Sequence, residues 1–251
     1  MNFSKLAFVL SSVSLGLTTP VYAADFTVRS PIVSKGELSI EHSGAVTRDR
    51  DAAKRNEQTY TASVGYGVTE WWSVEIEGEA GREGGPDNSL RFEAVNLENT
   101  FQLTQQGSSW VDVGVFAEYG RAARRGGADA VSFGPILQKE LGRTVNTLNL
   151  FVEREIGANR EGGTEVRYAW QTRWPLFDTL KLGGEIFGTP GRVDKFRALA
   201  DQEHRAGPVI FGEIRLGALG KIEYQAGYLI GLTRATPDGT FKWLIEYEIA
   251  F

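Results

Sequence analysis

The stretch "TFKWLIEYEIAF", residues 240–251, alternates without a break. Phe241, Trp243, Ile245, Tyr247, Ile249 and Phe251 fall on one face of an extended strand, with Lys242, Leu244, Glu246, Glu248 and Ala250 on the other. Successive strand side chains point to opposite faces, so one face is large and apolar and the other mostly polar. A soluble sheet would bury the first face against a core; a membrane sheet would turn it to lipid. The rest of the chain decides between the two.

The N-terminal "MNFSKLAFVLSSVSLGLTTPVYAADF" has a basic residue at Lys5, an apolar run over 6–17 and the small-residue site "VYA" before Ala24. This pattern predicts a secretory signal peptide over 1–23, followed by a periplasmic or lumen segment over 24–34. There is no cysteine, so disulfides cannot reinforce the fold. A formal net charge of -5 gives no case for a nucleic-acid partner. Mean hydropathy is -0.24, which does not exclude a membrane β-barrel, because its outward and inward residues average out.

Period-2 patterning recurs in twelve segments: 35–47, 56–68, 71–82, 91–103, 110–121, 130–141, 145–156, 164–174, 179–189, 204–217, 221–232 and 240–251. In "TEVRYAWQTRW", Thr164, Val166, Tyr168, Trp170, Thr172 and Trp174 oppose Glu165, Arg167, Ala169, Gln171 and Arg173. The connections near 69–70, 104–109, 142–144, 175–178 and 218–220 are mostly tight, and the alternate ones are longer and rich in Gly, Asp and Arg. Short turns on one side and long loops on the other are the asymmetry of an outer-membrane barrel. An even strand number puts both termini on the periplasmic, short-turn side. Aromatic residues then gather at both strand ends: Tyr66, Trp72, Phe101, Trp110, Trp174 and Phe251 inside, Tyr60, Tyr119, Tyr168, Tyr228, Phe241 and Trp243 outside.

The predicted fold is therefore an all-β, antiparallel, up-and-down transmembrane barrel of about 12 strands over 35–251. Lipid offers no partner for backbone N–H and C=O groups, so a sheet with an apolar exterior must close on itself. A soluble β-sandwich or lipocalin-like barrel has no reason to place aromatic rings at both strand ends. Three features strain the pattern. Pro135 and Pro208 lie inside segments where a ladder tolerates them only at a bulge or a missing bond. Lys139 and Arg154 fall on the lipid face, near strand ends where they can snorkel. Asn99 joins the outward phase of Val95, Leu97 and Phe101.

On the inward phase stand sixteen acids: Glu37, Glu41, Glu75, Glu77, Glu79, Glu98, Asp112, Glu118, Glu153, Glu155, Glu165, Glu185, Glu213, Glu223, Glu246 and Glu248. Six bases accompany them: Arg167, Arg173, Lys181, Arg205, Arg215 and Lys242. A symmetric hairpin at 157–163 would place Glu153 opposite Arg167. Two readings stay open. An acidic, water-filled passage would favour cations; alternatively, loop arginines fold in and the charges merely brace a closed lumen. Twelve strands lie between filled eight-strand interiors and open sixteen-strand channels, so strand number does not choose. The loop arginines equally suit lipopolysaccharide phosphates outside.

Catalysis finds little support, and no catalytic, metal or cofactor residue is assigned. His42 and Ser43 are adjacent on a strand and face opposite ways, so they cannot form a dyad. His204 has no serine beside it on its face, and both histidines are expected at a rim or in a loop. No His pair has ligand spacing. The glycines of "GREGG" and "RRGG" are loop punctuation, since no helix follows to complete a phosphate cradle.

The stretches "YGVTEWWSVEIEGE", "RFEAVNLENTFQLT" and "TLNLFVEREIG" resemble a family of proteobacterial outer-membrane proteins described as transporters of the MetA pathway of phenol degradation. The resemblance runs from about "PIVSKGELSIE" to the final Phe and implies a porin-like barrel with solute passage; it supplies no residue-level site. Alternation ending on Phe251, through Trp243, Ile245, Tyr247 and Ile249, resembles the signal read by the barrel-assembly machinery. The sequence thus predicts a passive outer-membrane conduit for an unidentified small solute, surrounded by membrane lipid and lipopolysaccharide. A closed structural barrel is the alternative, and a lipid hydrolase a more remote one.

Overall fold

The computed structural model describes residues 26–85 and 88–251. The predicted signal peptide lies outside the described residues. The strands are β1 (Glu37–Arg48), β2 (Gln58–Gly67), β3 (Trp72–Arg82), β4 (Arg91–Gln102), β5 (Asp112–Ala122), β6 (Asp129–Leu141), β7 (Thr144–Ile156), β8 (Glu165–Phe177), β9 (Leu180–Arg192), β10 (Lys195–Phe196), β11 (Glu203–Arg215), β12 (Lys221–Gly231) and β13 (Gly239–Ala250). All but the two-residue β10, which extends the β9 hairpin, are barrel staves. Each pairs antiparallel with its sequence neighbour, and β13 returns to β1 from Glu37↔Ala250 to Arg48↔Gly239. The barrel is closed and twelve-stranded, as the alternation predicts. Phe251 lies one residue beyond β13, yet its N–H still donates to the Gly36 carbonyl at 3.1 Å and extends the seam.

The apolar phase faces outward. Ile40, Val64, Ile76, Leu97, Phe133, Leu150, Ile210 and Ile245 are all exposed, Ile76 by 60% and Phe133 by 58%. Buried positions are instead the polar phase, among them Thr59, Thr61, Ser63, Asn96, Asn149 and Gln171. That inversion of a soluble protein is what a lipid solvent demands. Strands of about eleven residues, rising ~3.3 Å each and tilted ~40°, reach roughly 28 Å, enough for a ~25 Å apolar band. Asn99 does turn outward, where its Oδ1 accepts from Trp72 Nε1 at 3.1 Å.

Both prolines are accommodated by one device. Pro135 and Pro208 are exposed on the lipid side, and each follows a glycine on the lumen side. Pairing is interrupted there, between Phe133↔Val152 and Ile136↔Asn149 and between Ala206↔Ile230 and Val209↔Gly227. A Cβ on Gly134 would stand 1.9 Å from the Leu150 carbonyl oxygen, and one on Gly207 2.0 Å from that of Tyr228. A Gly–Pro step therefore lets the neighbouring strand press in where the proline cannot donate.

Three expectations need correction. The connection at residues 103–111 is not tight; it forms a longer turn on the termini side, closed by Gly107 N–H donating to Asp112 at 2.8 Å. His42 is at neither rim nor loop. It lies midway along β1 on the lipid side, with Nδ1 2.7 Å from the Thr61 carbonyl, and a local backbone partner satisfies its polar atom there. The β7–β8 register pairs Glu153 with Glu165 and Phe151 with Arg167, so Glu153 and Arg167 are diagonal rather than opposite. They still meet at 2.6 Å, because a long arginine bridges a diagonal pair.

Candidate functional site

Residues 26–35 run inside the barrel before β1 begins. The Arg29 N–H donates to Asn149 Oδ1 at 2.8 Å, and Asn149 Nδ2 returns a bond to the Arg29 carbonyl at 2.9 Å. Val33 N–H donates to Gln102 Oε1 at 2.8 Å. These three bonds join the segment to the lumen faces of β7 and β4, strands three places apart in the sheet order.

At mid-height the segment completes a layer across the lumen. Lys242 Nζ donates to the Phe26 carbonyl at 2.5 Å and to Glu185 at 2.6 Å, with the two side chains 1% and 0% exposed. Gln171 Nε2 donates to the other Glu185 oxygen. Arg29 pairs with Glu98 at 2.7 Å and lies over the Phe116 ring, 4.8 Å from its centre. Phe116 stacks on Phe151 at 4.8 Å, and Phe26 meets Phe187 edge-on at 5.5 Å. Val28, Ala169, Phe187 and Leu229 pack beside them. The waist is thus part ionic and part aromatic.

A cavity lies on each side of this waist. The outer one, about 80 Å³, is lined by Glu77, Glu79, Glu118, Glu153, Arg167 and Arg205, with Glu203. It has room for a handful of waters at ~10–15 Å³ each. The inner one, about 610 Å³, opens towards the termini and is lined by Glu75, Arg173, Lys181, Glu213, Glu246 and Glu248, with Glu37, Glu41, Glu223 and Lys221. That volume falls within the ~300–1,000 Å³ usual for small-molecule sites. Thr27 and Arg29 line both.

The predicted lumen residues therefore do not form one constellation. Arg167 belongs to the outer cavity, Glu75 and Glu248 to the inner. Glu185 and Asp112 line neither: Glu185 is enclosed in the waist, and Asp112 holds the 103–111 turn. Arg215 sits exposed at the inner rim, paired with Glu213 at 2.5 Å. Lys221, beside Glu223 at 2.7 Å and Glu248 at 2.8 Å, is an inward base that the strand count omits, as is Arg29. Also omitted are the inward aromatics Phe116, Phe151 and Phe187. Their phase is legible in the sequence, since they stand two residues from the inward acids Glu118, Glu153 and Glu185. Residues 26–35 carry no periodic signal at all.

At the inner mouth Lys35 and Glu70 form an exposed pair at 2.8 Å. Their hydrogen bond raises the ammonium above its ordinary pKa and lowers the carboxyl below its own. In the loop before β2, burial pushes the Glu57 carboxyl up, with Arg205 opposing. On the final strand Trp243, Ile245, Tyr247 and Ile249 take the lipid side, where Tyr247 donates to the Leu219 carbonyl at 2.6 Å.

No protein-family model matches the sequence, and no curated protein matches it. Solved structures do. An outer-membrane channel of Pseudomonas putida F1 superposes with a TM-score of 0.56 at 12% identity, over 91% of this chain and 99% of that one. The fold is that of an outer-membrane β-barrel. The KdgM porin, solved with a disordered oligogalacturonate, gives a TM-score of 0.51 at 6% identity over 86% of this chain and 99% of that one. The translocator domain of the autotransporter NalP from Neisseria meningitidis gives 0.50 at 11% identity, over 87% and 89%. A closed barrel with a lipid-facing apolar exterior and this fold is a protein of the bacterial outer membrane.

Proposed function

We propose that the protein is a passive, porin-like channel for small solutes, with a preference for cations. The observation that carries this reading is the charge of the two cavities. The inner one presents seven carboxylates (Glu37, Glu41, Glu75, Glu213, Glu223, Glu246, Glu248) against five bases (Arg29, Arg143, Arg173, Lys181, Lys221). The outer presents five (Glu77, Glu79, Glu118, Glu153, Glu203) against three (Arg29, Arg167, Arg205). Charges of one sign in a low-dielectric passage concentrate the opposite ion. The same excess argues against an anionic saccharide of the kind bound to the KdgM porin. Resemblance of the strand patterns supports placing the chain in the MetA-pathway transporter family, and the alternating final strand supports delivery by the barrel-assembly machinery.

A second reading, a closed barrel without transport, is favoured by the waist, where buried ion pairs and stacked rings span the lumen. One experiment separates the two. Purified protein in planar bilayers across a potassium chloride gradient should conduct, with a reversal potential of the sign set by potassium. Silence in the bilayer establishes the closed barrel, and a reversal potential set by chloride removes the cation preference.

A further inference from the structure

The lipid-facing wall of β5–β7 carries two guanidinium groups near its outer edge. Arg121 is next to last in β5, and Arg154 is two residues before the end of β7. Both take the outward phase: Arg121 follows Val113, Val115, Ala117 and Tyr119 by steps of two, and Arg154 follows Leu148, Leu150 and Val152. Both are exposed, and among the described residues neither makes a hydrogen bond or an ion pair, the charge of Arg121 acting on Asp129 only at longer range.

Register brings them together. Tyr119 is opposite Val131, and Val131 is opposite Arg154, so Arg121 and Arg154 stand two strands and two residues apart. At ~4.8 Å between strands and ~3.3 Å per residue, their Cα atoms are roughly 12 Å apart. Two long arginine side chains leaning inward across that gap reach one small anion. The acid between them, Asp129, is engaged: one oxygen accepts from Tyr119 Oη at 2.6 Å and the other from Ala122 N–H at 3.1 Å. Towards the barrel's middle the same wall is apolar and exposed at Phe133 and Leu150, and so is Leu97 of the neighbouring β4, opposite Tyr119. The inner half offers a contrast, since its lipid-facing Lys139 already has a partner in the Trp110 ring at 5.1 Å.

Guanidinium groups favour phosphate oxygens because their N–H donors match them in pairs. With both termini at the periplasm, this edge meets the outer leaflet, so an anion here sits above acyl chains. We propose that Arg121 and Arg154 bind a phosphate of an outer-leaflet glycolipid of the lipopolysaccharide type, whose acyl chains lie over Leu97, Phe133 and Leu150. This site is independent of whether the lumen conducts.

Native mass spectrometry of the folded barrel in detergent tests it, with bisphosphorylated lipid A, its dephosphorylated form and inorganic phosphate as probes. The expected result is a retained lipid A adduct, weakened at least tenfold in R121Q/R154Q, with neither other probe retained. Loss should be smaller in R121K/R154K, which keeps both charges, and heat-modifiable gel migration verifies that each variant is folded. Equal retention by folded R121Q/R154Q overturns the proposal, as does equal retention of dephosphorylated lipid A, which would leave acyl contact alone. Retention of inorganic phosphate in place of the lipid overturns the choice of a lipid ligand.

Discussion

The two ends of the lumen obey one alternation rule and differ in outcome. Below the waist, inward charges stand around a 610 Å³ vestibule; above it, the cavity shrinks to 80 Å³. At the waist itself Lys242 and Glu185 are enclosed on every side. The difference comes from a segment that is not a strand: residues 26–31 fill the middle and bring Phe26 and Arg29 to inward side chains of β4, β5, β9 and β13. A charge that faces a barrel interior therefore has no fixed role. In the vestibule it meets water; at the waist it is desolvated and must be paired.

The largest expected effect tests that pairing. K242M leaves Glu185 buried without its cation and should cost about 3–5 kcal/mol of stability in urea titrations, whereas K242M/E185Q should recover most of it. If K242M unfolds like the wild type, the waist is wetter than its enclosure indicates.

Removing residues 26–31 should raise single-channel conductance several-fold, and unchanged conductance would mean that the waist does not limit passage. Gly134→Ala drives a methyl into the Leu150 carbonyl and should cost about 1–3 kcal/mol, within the range for overpacking. In the vestibule, E75Q, at a half-buried acid, should leave unfolding almost unchanged but shift the reversal potential towards zero, which separates a solvated charge from a structural one. Smallest of all, E70Q removes an exposed pair with Lys35 and should leave the unfolding midpoint where it was.

Much of this barrel was legible because a strand's two-residue period survives any packing. The outward rows, the closing of β13 on β1 and the inward placement of Glu75, Glu246 and Arg205 all follow from phase. Register did not: Glu153 meets Arg167 on a diagonal, because a loop's shape sets the offset between strands. His42 was misplaced for a related reason, since a backbone carbonyl at mid-strand satisfies a histidine that composition assigns to the rim. Segment 26–35 left no trace in the pattern, as it belongs to no strand and is held by side chains as distant in sequence as Asn149 and Lys242.

By itself the sequence determined which side of each strand meets lipid, because that choice is made residue by residue along a fixed period. Only the tertiary structure decided where the lumen is sealed and where it is open, because those depend on which distant side chains meet across the barrel and how much water is left between them.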